Sequence, residues 1–170
     1  YGLGLTGKSV VSFLKKNKVK KIFTWDDYLI KSNSKSKKNF KTNLDSVDFI
    51  VISPGINIQK SNFKSLLLRN KKKIITDLDL FYLKNNVKKS IVITGTNGKS
   101  TTCSLVHHIL KKNKIKNKLA GNIGKPILKT KFFNNDIYVI EASSFQLEYS
   151  KFLKPYCAVI LNISQDHLDW

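Results

Sequence analysis

A glycine-rich turn carries the residues best suited to chemistry in this chain. It follows a short apolar run at residues 91–94, leads into a helical pattern, and consists of Gly95, Thr96, Asn97, Gly98, Lys99, Ser100 and Thr101. Glycines let backbone N–H groups approach an anion, and the amino end of a helix adds partial positive charge. Lys99 suits the β- and γ-phosphates of a nucleotide, and the Ser100 hydroxyl suits Mg²⁺.

The turn is shorter than the general phosphate-loop pattern, which has a glycine where this chain has Ile93. An ordinary turn between a strand and a helix is the alternative interpretation in so lysine-rich a chain. Lys99, Ser100 and Thr101 follow Gly98 in register, which favours binding of a nucleoside triphosphate with Mg²⁺.

A second strand end should bring a carboxylate to the same place. Residues 137–140 are apolar and end in Glu141. The carboxyl ends of parallel strands share one edge of a sheet, so we expect Glu141 near Ser100. Hydroxyl and carboxylate oxygens suit Mg²⁺, and a buried carboxylate requires a cation or donor nearby. An exposed Glu141 without a role is the alternative.

A third strand end follows residues 158–161 and leads to Asp166, His167 and Asp169. His167 could hold a second ion that orients a substrate oxygen. Asp166 and Asp169 could be the ligands instead, or His167 could be a surface residue at the start of a helix.

The opening residues contain a weaker glycine motif. Gly2, Gly4 and Gly7 have the G-x-G-x-x-G spacing, and a helical pattern and then a strand at residues 21–25 follow. That strand ends in Asp26 and Asp27, and an acidic residue about 20 positions after the glycines belongs to the Rossmann fingerprint. A turn without a ligand is the alternative.

Another turn closes the next predicted strand, at residues 48–53. It consists of Ser53, Pro54 and Gly55. Proline fixes φ and glycine relaxes it, so the chain bends sharply here. Ligands of open α/β sheets bind at such carboxyl ends.

Strands and helices alternate along the chain, which predicts an α/β fold with parallel sheets. We expect an N-terminal Rossmann-like domain at residues 1–88 and the start of a P-loop-type central ATPase domain at residues 89–170. The polar residues 31–46 are predicted to be a surface connection. The helix that starts near Lys99 is expected to carry Leu105, Val106, Ile109 and Leu110 on one face.

Composition limits the classes of function. The net charge is +20, yet Arg69 is the single arginine among 31 basic residues. Specific nucleic-acid sites favour arginine and stacking aromatics, so we expect no specific nucleic-acid partner. No apolar run is long enough to span a membrane. Cys103 and Cys157 lack metal-ligand spacing and are expected to be reduced thiols of a cytoplasmic protein.

Several stretches, taken in order, resemble the Mur ligases of peptidoglycan synthesis. They are residues 95–101, 121–126, 141–148 and 162–169, with residues 2–7 and 53–56 in the first domain. The run that follows Glu141, Ser-Ser-Phe-Gln-Leu, is most similar to the members that add D-glutamate.

The resemblance implies an ATP- and Mg²⁺-dependent amide ligase, with UDP-N-acetylmuramoyl-L-alanine and D-glutamate as partners, acting as a monomer. ATP would phosphorylate the substrate carboxylate, and the amine of D-glutamate would attack the acyl phosphate. Alternatives are another Mur-type ligase, a P-loop module without ligation chemistry, or a NAD-linked oxidoreductase that uses the first glycine motif.

The resemblance also implies roles for particular residues. Lys99 and His167 would be catalytic, and residues 95–101 would bind ATP. The metal ligands would be Ser100, Glu141 and His167. Substrate would contact Leu5, Thr6, Asp26, Ser53, Pro54, Gly55, Asn122 and Ser143, with Asp27 competing with Asp26 for the uracil. The family's carbamylated lysine and amino-acid-binding domain are expected beyond Trp170, so we expect this chain alone not to complete the reaction.

Overall fold

The computed structural model describes residues 1–27 and 34–166, of which residues 34–38 by their backbone alone. Contacts divide the chain into two compact units, residues 1–77 and residues 78–166. The boundary between the units falls after the first residue of helix α4 (Asp77–Lys84). The rest of α4 belongs to the second unit, because Leu78 and Phe81 lie in its hydrophobic core. The functional domain boundary between residues 88 and 89 stays a prediction.

In its described residues, the first unit contains three α-helices and a short parallel sheet. The helices are α1 (Leu5–Lys16), α2 (Ser34–Ser46) and α3 (Lys64–Arg69). Strands β1 (Ile50–Val51) and β2 (Ile74–Ile75) pair in parallel. The backbone of Tyr1 and Gly2 bonds with segments on both sides. The Gly2 N–H donates to the Trp25 carbonyl at 2.8 Å, and the Ser53 N–H donates to the Tyr1 carbonyl at 3.0 Å.

Two expectations for this unit are wrong. Residues 21–25 do not form a strand, although the Trp25 carbonyl accepts a hydrogen bond from the Gly2 N–H. Most of the predicted surface connection at residues 31–46 is helix α2, while residues 31–33 lie outside the described chain. Phe40 and Leu44 stand four positions apart on one helical face and are both buried. Phe40 stacks on Trp25 at 5.0 Å between ring centroids, so tertiary packing stabilises a helix of polar composition.

The second unit is a four-stranded sheet in which every strand pairs in parallel, as predicted for an α/β fold. The strands are β3 (Ser90–Thr94), β4 (Asn117–Gly121), β5 (Ile137–Glu141) and β6 (Cys157–Ile160), in the spatial order β4-β5-β3-β6. Helices α5 (Lys99–Lys112) and α6 (Ser144–Tyr149) follow β3 and β5. The phosphate-loop strand β3 is therefore central.

Only part of the predicted apolar face of α5 packs against the sheet. Cys103, Val106 and Leu110 pack with residues of the sheet, whereas Leu105 and Ile109 are 56% and 50% exposed. The prediction included all four apolar residues, but a helix that packs on a sheet buries a stripe narrower than the full set of its apolar residues. In the part of the chain that the structure describes, no helix is long and apolar enough to cross a membrane.

Candidate phosphate and metal site

The loop between β3 and α5 has the backbone that its glycines predict. Gly95 and Gly98 have φ of +144° and +80°, in the range that favours glycine. A Cβ on Gly95 would also lie 3.1 Å from the Leu161 Cβ and 3.2 Å from the Asn162 nitrogen and oxygen. A Cβ on Gly98 would meet only the Leu161 Cδ1, at 3.7 Å. Gly95 is thus required by conformation and by space, and Gly98 mainly by conformation.

The chain after β6 holds this loop by hydrogen bonds. The Asn97 N–H donates to the Asn162 Oδ1 at 2.9 Å, and the Asn162 Nδ2 donates to the Asn97 carbonyl at 3.0 Å. Thr96 forms two bonds with the Ser164 backbone, at 3.2 and 3.1 Å. The sequence analysis includes Asn162 in a motif but gives it no role. A hydrogen bond between a side chain and a backbone group far along the chain leaves no pattern in the neighbouring residues.

Lys99 lies over the loop. Its Nζ donates to the carbonyl oxygens of Gly95 at 2.6 Å and Thr96 at 2.8 Å. These bonds place the ammonium group at the amino end of α5, where an anion is favoured by the helix dipole and by the first-turn N–H groups. An incoming phosphate would compete with these carbonyls for Lys99.

Ser100 and Glu141 meet at the edge of the sheet, as the strand-end argument predicts. The pairing of β3 with β5 sets Ile93 opposite Glu141, which brings Glu141 to the start of α5. The Ser100 Oγ donates to the Glu141 Oε2 at 2.7 Å, and the Asn122 Nδ2 donates to the Glu141 Oε1 at 3.2 Å. Glu141 is 2% exposed, so the alternative of an exposed glutamate is wrong.

The backbone of Glu141 holds a second turn. The Asn122 N–H donates to the Glu141 carbonyl at 2.9 Å. The preceding Gly121 has φ of +111°, and a Cβ there would lie 2.3 Å from that carbonyl oxygen. The turn can approach the metal-ligand candidate this closely only with glycine at position 121.

Cys103 lies beneath the site, one turn after Ser100. Burial, together with the smaller effect of the Glu141 charge, raises the pKa of its thiol to about 11. The group is therefore a neutral thiol at physiological pH and functions as a small apolar residue under the site.

Ser143 has a structural role in α6. Its side chain accepts from the Gln146 N–H at 3.2 Å, and the Gln146 Oε1 accepts from the Ser143 N–H at 3.1 Å. This reciprocal capping box fixes the helix that follows Glu141. The predicted contact of Ser143 with substrate stays a prediction.

In the first unit, the two predicted turns touch each other. The Ser53 Oγ donates to the Gly2 carbonyl at 2.8 Å, and a Cβ on Gly7 would lie 1.8 Å from that same oxygen. Leu5 and Thr6 follow in the first turn of α1, where Leu5 is 75% exposed. The turn of Ser53, Pro54 and Gly55 therefore adjoins the glycine motif.

The two aspartates after residue 25 contact different groups. The Asp26 Oδ2 accepts from the Leu3 N–H at 2.6 Å, and Asp26 is 8% exposed. Asp27 accepts from the Trp25 Nε1 at 2.9 Å and from the Tyr1 hydroxyl. Asp26 thus fixes the glycine loop from within, and the choice between the two for uracil stays open to test.

The remaining predicted ligand, His167, lies outside the described residues, as does Asp169. Within residues 1–27 and 34–166, no group of three or more His, Cys, Asp or Glu side chains is arranged to hold a metal. The predicted second metal site therefore stays a prediction.

The chain is similar to known ligases. Residues 93–170 match the Mur ligase middle domain, which covers the phosphate loop and the Glu141 strand. The second unit is therefore similar to the middle domain of Mur ligases. Proteins named UDP-N-acetylmuramoylalanine–D-glutamate ligase are 43% identical in Rickettsia prowazekii and 39% identical in Wolbachia pipientis, each over 99% of this chain.

A third relative of the same name, from Buchnera aphidicola, is 41% identical over 99% of this chain. The chain spans 39%, 40% and 35% of the Rickettsia, Buchnera and Wolbachia proteins, respectively. It therefore matches less than half of the length of each of these curated relatives.

Proposed function

We propose that this chain supplies the UDP-sugar-binding and ATP-binding parts of a ligase that joins D-glutamate to UDP-N-acetylmuramoyl-L-alanine. The observation that carries the proposal is the 2.7 Å hydrogen bond between the Ser100 Oγ and the Glu141 Oε2 beside the Lys99 loop. It unites a phosphate loop with a buried carboxylate. The names of the relatives supply the amino acid and the sugar nucleotide.

The residues present fit Mg²⁺ bound with ATP. Mg²⁺ in nucleotide sites takes one or two protein oxygens and completes its shell with phosphates and water. Ser100 and Glu141 offer a hydroxyl and a carboxylate within hydrogen-bond distance of each other. Asn122 steadies the second carboxylate oxygen, as outer partners of metal ligands do. When bound there, the metal would neutralise phosphate charge.

The residues of the loop would then hold the triphosphate. Lys99 would exchange its bonds to the Gly95 and Thr96 carbonyls for bonds to phosphate oxygens. The first N–H groups of α5 have no acceptor within the helix and would bind the same anion. Positioning and charge stabilisation are the main contributions that a protein makes to phosphoryl transfer.

The reaction proposed for the whole protein has two balanced steps. The carboxylate of UDP-N-acetylmuramoyl-L-alanine attacks the γ-phosphorus of ATP, which gives an acyl phosphate and ADP. The amine of D-glutamate attacks the acyl carbon, loses a proton, and expels phosphate to leave an amide. Lys99 would stabilise the charge that develops on the transferred group in the first step.

The first unit would bind the UDP-sugar. Its glycine motif, the start of α1 and the turn of Ser53, Pro54 and Gly55 adjoin one another through the Ser53–Gly2 bond. The N–H groups of Leu5 and Thr6 lie in the first turn of α1, which suits a pyrophosphate. Leu5, Thr6 and one of the two aspartates would contact the nucleotide.

The test is ADP release by the longest form of the protein that carries this chain. The assay contains ATP, Mg²⁺, UDP-N-acetylmuramoyl-L-alanine and either D-glutamate or L-lysine. We expect release that requires both the sugar nucleotide and D-glutamate, and that is lost in Lys99→Ala. Lys125→Ala is the matched control, because Lys125 is exposed and lies outside the phosphate loop.

Three outcomes would contradict the proposal. Release with L-lysine in place of D-glutamate would assign a different Mur-type ligase. Binding of ATP without any release that depends on the sugar nucleotide would indicate a nucleotide-binding module without ligation chemistry. A Lys99→Ala variant with full activity would remove the phosphate loop from the mechanism.

A further inference from the structure

The phosphate loop is paired with a short segment that follows β6, residues 162–164, which we call the strap. The side-chain amide of Asn162 forms two hydrogen bonds with one residue of the loop, one as acceptor and one as donor. Its Oδ1 accepts from the Asn97 N–H at 2.9 Å, and its Nδ2 donates to the Asn97 carbonyl at 3.0 Å. This pairing imitates the bonds that a neighbouring β-strand would supply.

The strap also engages the preceding residue of the loop. The Thr96 N–H donates to the Asn162 carbonyl at 3.2 Å, and the Thr96 hydroxyl bonds with the backbone of Ser164. Gly95 lies against the same segment, where a Cβ would lie 3.1–3.2 Å from atoms of Leu161 and Asn162. The N–H groups of Thr96 and Asn97 are therefore both occupied within the protein.

The orientation of one peptide group follows from these bonds. The Asn97 carbonyl and the Gly98 N–H belong to the same peptide unit, and no described peptide bond is cis. In a trans peptide the C=O and N–H bonds point in opposite directions. Because the Asn97 carbonyl points at the Asn162 amide, the Gly98 N–H points away from the strap. Gly98 itself has a φ of +80°.

We propose that Asn162 is a positioning residue for nucleotide binding: by holding the Asn97 carbonyl, it aims the Gly98 N–H at a phosphate oxygen. The inference rests on the proposed binding of ATP at this loop. It also divides the loop, because the N–H groups from Gly98 onward bind phosphate while those of Thr96 and Asn97 bind the strap. The glycine motif alone does not indicate this division.

The test is NMR of this chain with ATP and Mg²⁺, together with titration of a fluorescent ATP analogue. In the wild type, the Gly98 amide proton should shift downfield when nucleotide is added, while the Thr96 and Asn97 amides move little. In Asn162→Ala, that Gly98 shift should be largely lost. The affinity should fall about tenfold, the effect expected for the loss of one or two hydrogen bonds.

Hydrogen exchange gives a second readout without nucleotide. The Asn97 amide should exchange faster in Asn162→Ala, while amides of the central strand β3 keep their protection. Asn113→Ala is the matched control, because Asn113 caps the opposite end of α5 and bonds with the Ile109 carbonyl at 2.8 Å. It should bind nucleotide as the wild type does.

Each outcome separates this inference from the proposed function. If Lys99→Ala loses binding but Asn162→Ala keeps both wild-type affinity and the Gly98 shift, the positioning role is wrong and the ATP site stands. Equal losses in Asn162→Ala and Asn113→Ala, with lowered thermal stability, would also overturn the role, because they reflect general loosening. If Lys99→Ala binds as the wild type does, the proposed ATP site itself fails.

Discussion

The Ser100 hydroxyl donates a 2.7 Å hydrogen bond to the Glu141 carboxylate, although the two residues are 41 positions apart in the chain. The contact exists because β3 and β5 are parallel neighbours that end at the same edge of the sheet. Glu141 is buried and its other oxygen is bonded with Asn122, so its orientation is fixed before any ligand arrives.

We therefore expect Glu141→Gln to lower turnover by about a hundredfold or more, as is typical when charge stabilisation at a reacting group is lost. The amide keeps the shape of the side chain but removes the negative charge that suits Mg²⁺. ADP release measured against Mg²⁺ concentration should also show a higher requirement for the metal. The control is Glu148→Gln, an exposed residue of α6, and equal activity in the two variants would refute a metal-binding role.

Gly121→Ala should destabilise the second unit far more than Gly124→Ala. Both glycines have positive φ, at +111° and +71°, so both substitutions strain the backbone by about 1 kcal/mol. At Gly121 the new Cβ would also lie 2.3 Å from the Glu141 carbonyl oxygen, whereas at Gly124 the nearest atom is 3.9 Å away. The collision should add about 2 kcal/mol or more.

Urea unfolding followed by far-UV circular dichroism measures the loss in free energy of unfolding for each of the two variants. The same variants also test the candidate metal site, because Gly121 sets the position from which the Asn122 N–H donates to the Glu141 carbonyl. Similar losses of stability in the two variants would mean that the turn relaxes and that the close approach is not required.

Local patterns were sufficient to predict much of the second unit. The apolar runs that end at Thr94 and Glu141, and the glycine pair around the phosphate loop, are local signals. Parallel strand ends share an edge, so the convergence of Ser100 with Glu141 followed from topology alone.

Features that depend on distant partners were not predictable in this way. Helix α2 has a polar composition, and its stability comes from Phe40 packing on Trp25 and Phe63, which the sequence does not place together. The role of Asn162 likewise depends on a backbone 65 positions away. On α5, burial follows the contact surface with the sheet, so Leu105 is exposed despite being apolar.

The two cysteines should react with thiol reagents at very different rates. Cys103 is buried, and the pKa of its thiol is raised to about 11, while Cys157 is exposed. The thiolate is the reacting form, and at pH 8 it is a small fraction of Cys103. The reactivity of Cys103 should therefore rise only as the pH approaches 11 or as the unit unfolds.

A disulfide reagent such as Ellman's reagent tests this at pH 8. We expect one fast thiol in the native protein, two in denaturant, and no fast thiol in Cys157→Ser. Fast labelling that persists in Cys157→Ser would show that Cys103 is accessible and that α5 does not pack on the sheet as described.

Phe40→Ala should destabilise the first unit by about 3–5 kcal/mol, the usual cost of removing a buried aromatic ring. Phe40 is 8% exposed, stacks on Trp25, and meets Phe63 edge-on at 4.7 Å between ring centroids. Without it, α2 loses the contact that offsets its polar composition, so helical signal in far-UV circular dichroism should fall along with stability. Lys41→Ala, on the exposed face beside it, should change the free energy of unfolding by less than about 0.5 kcal/mol. If the two substitutions proved equal in urea unfolding, the aromatic cluster would not be what stabilises α2. The helix would then have to form from its own propensity, which its serine, asparagine and threonine residues lower.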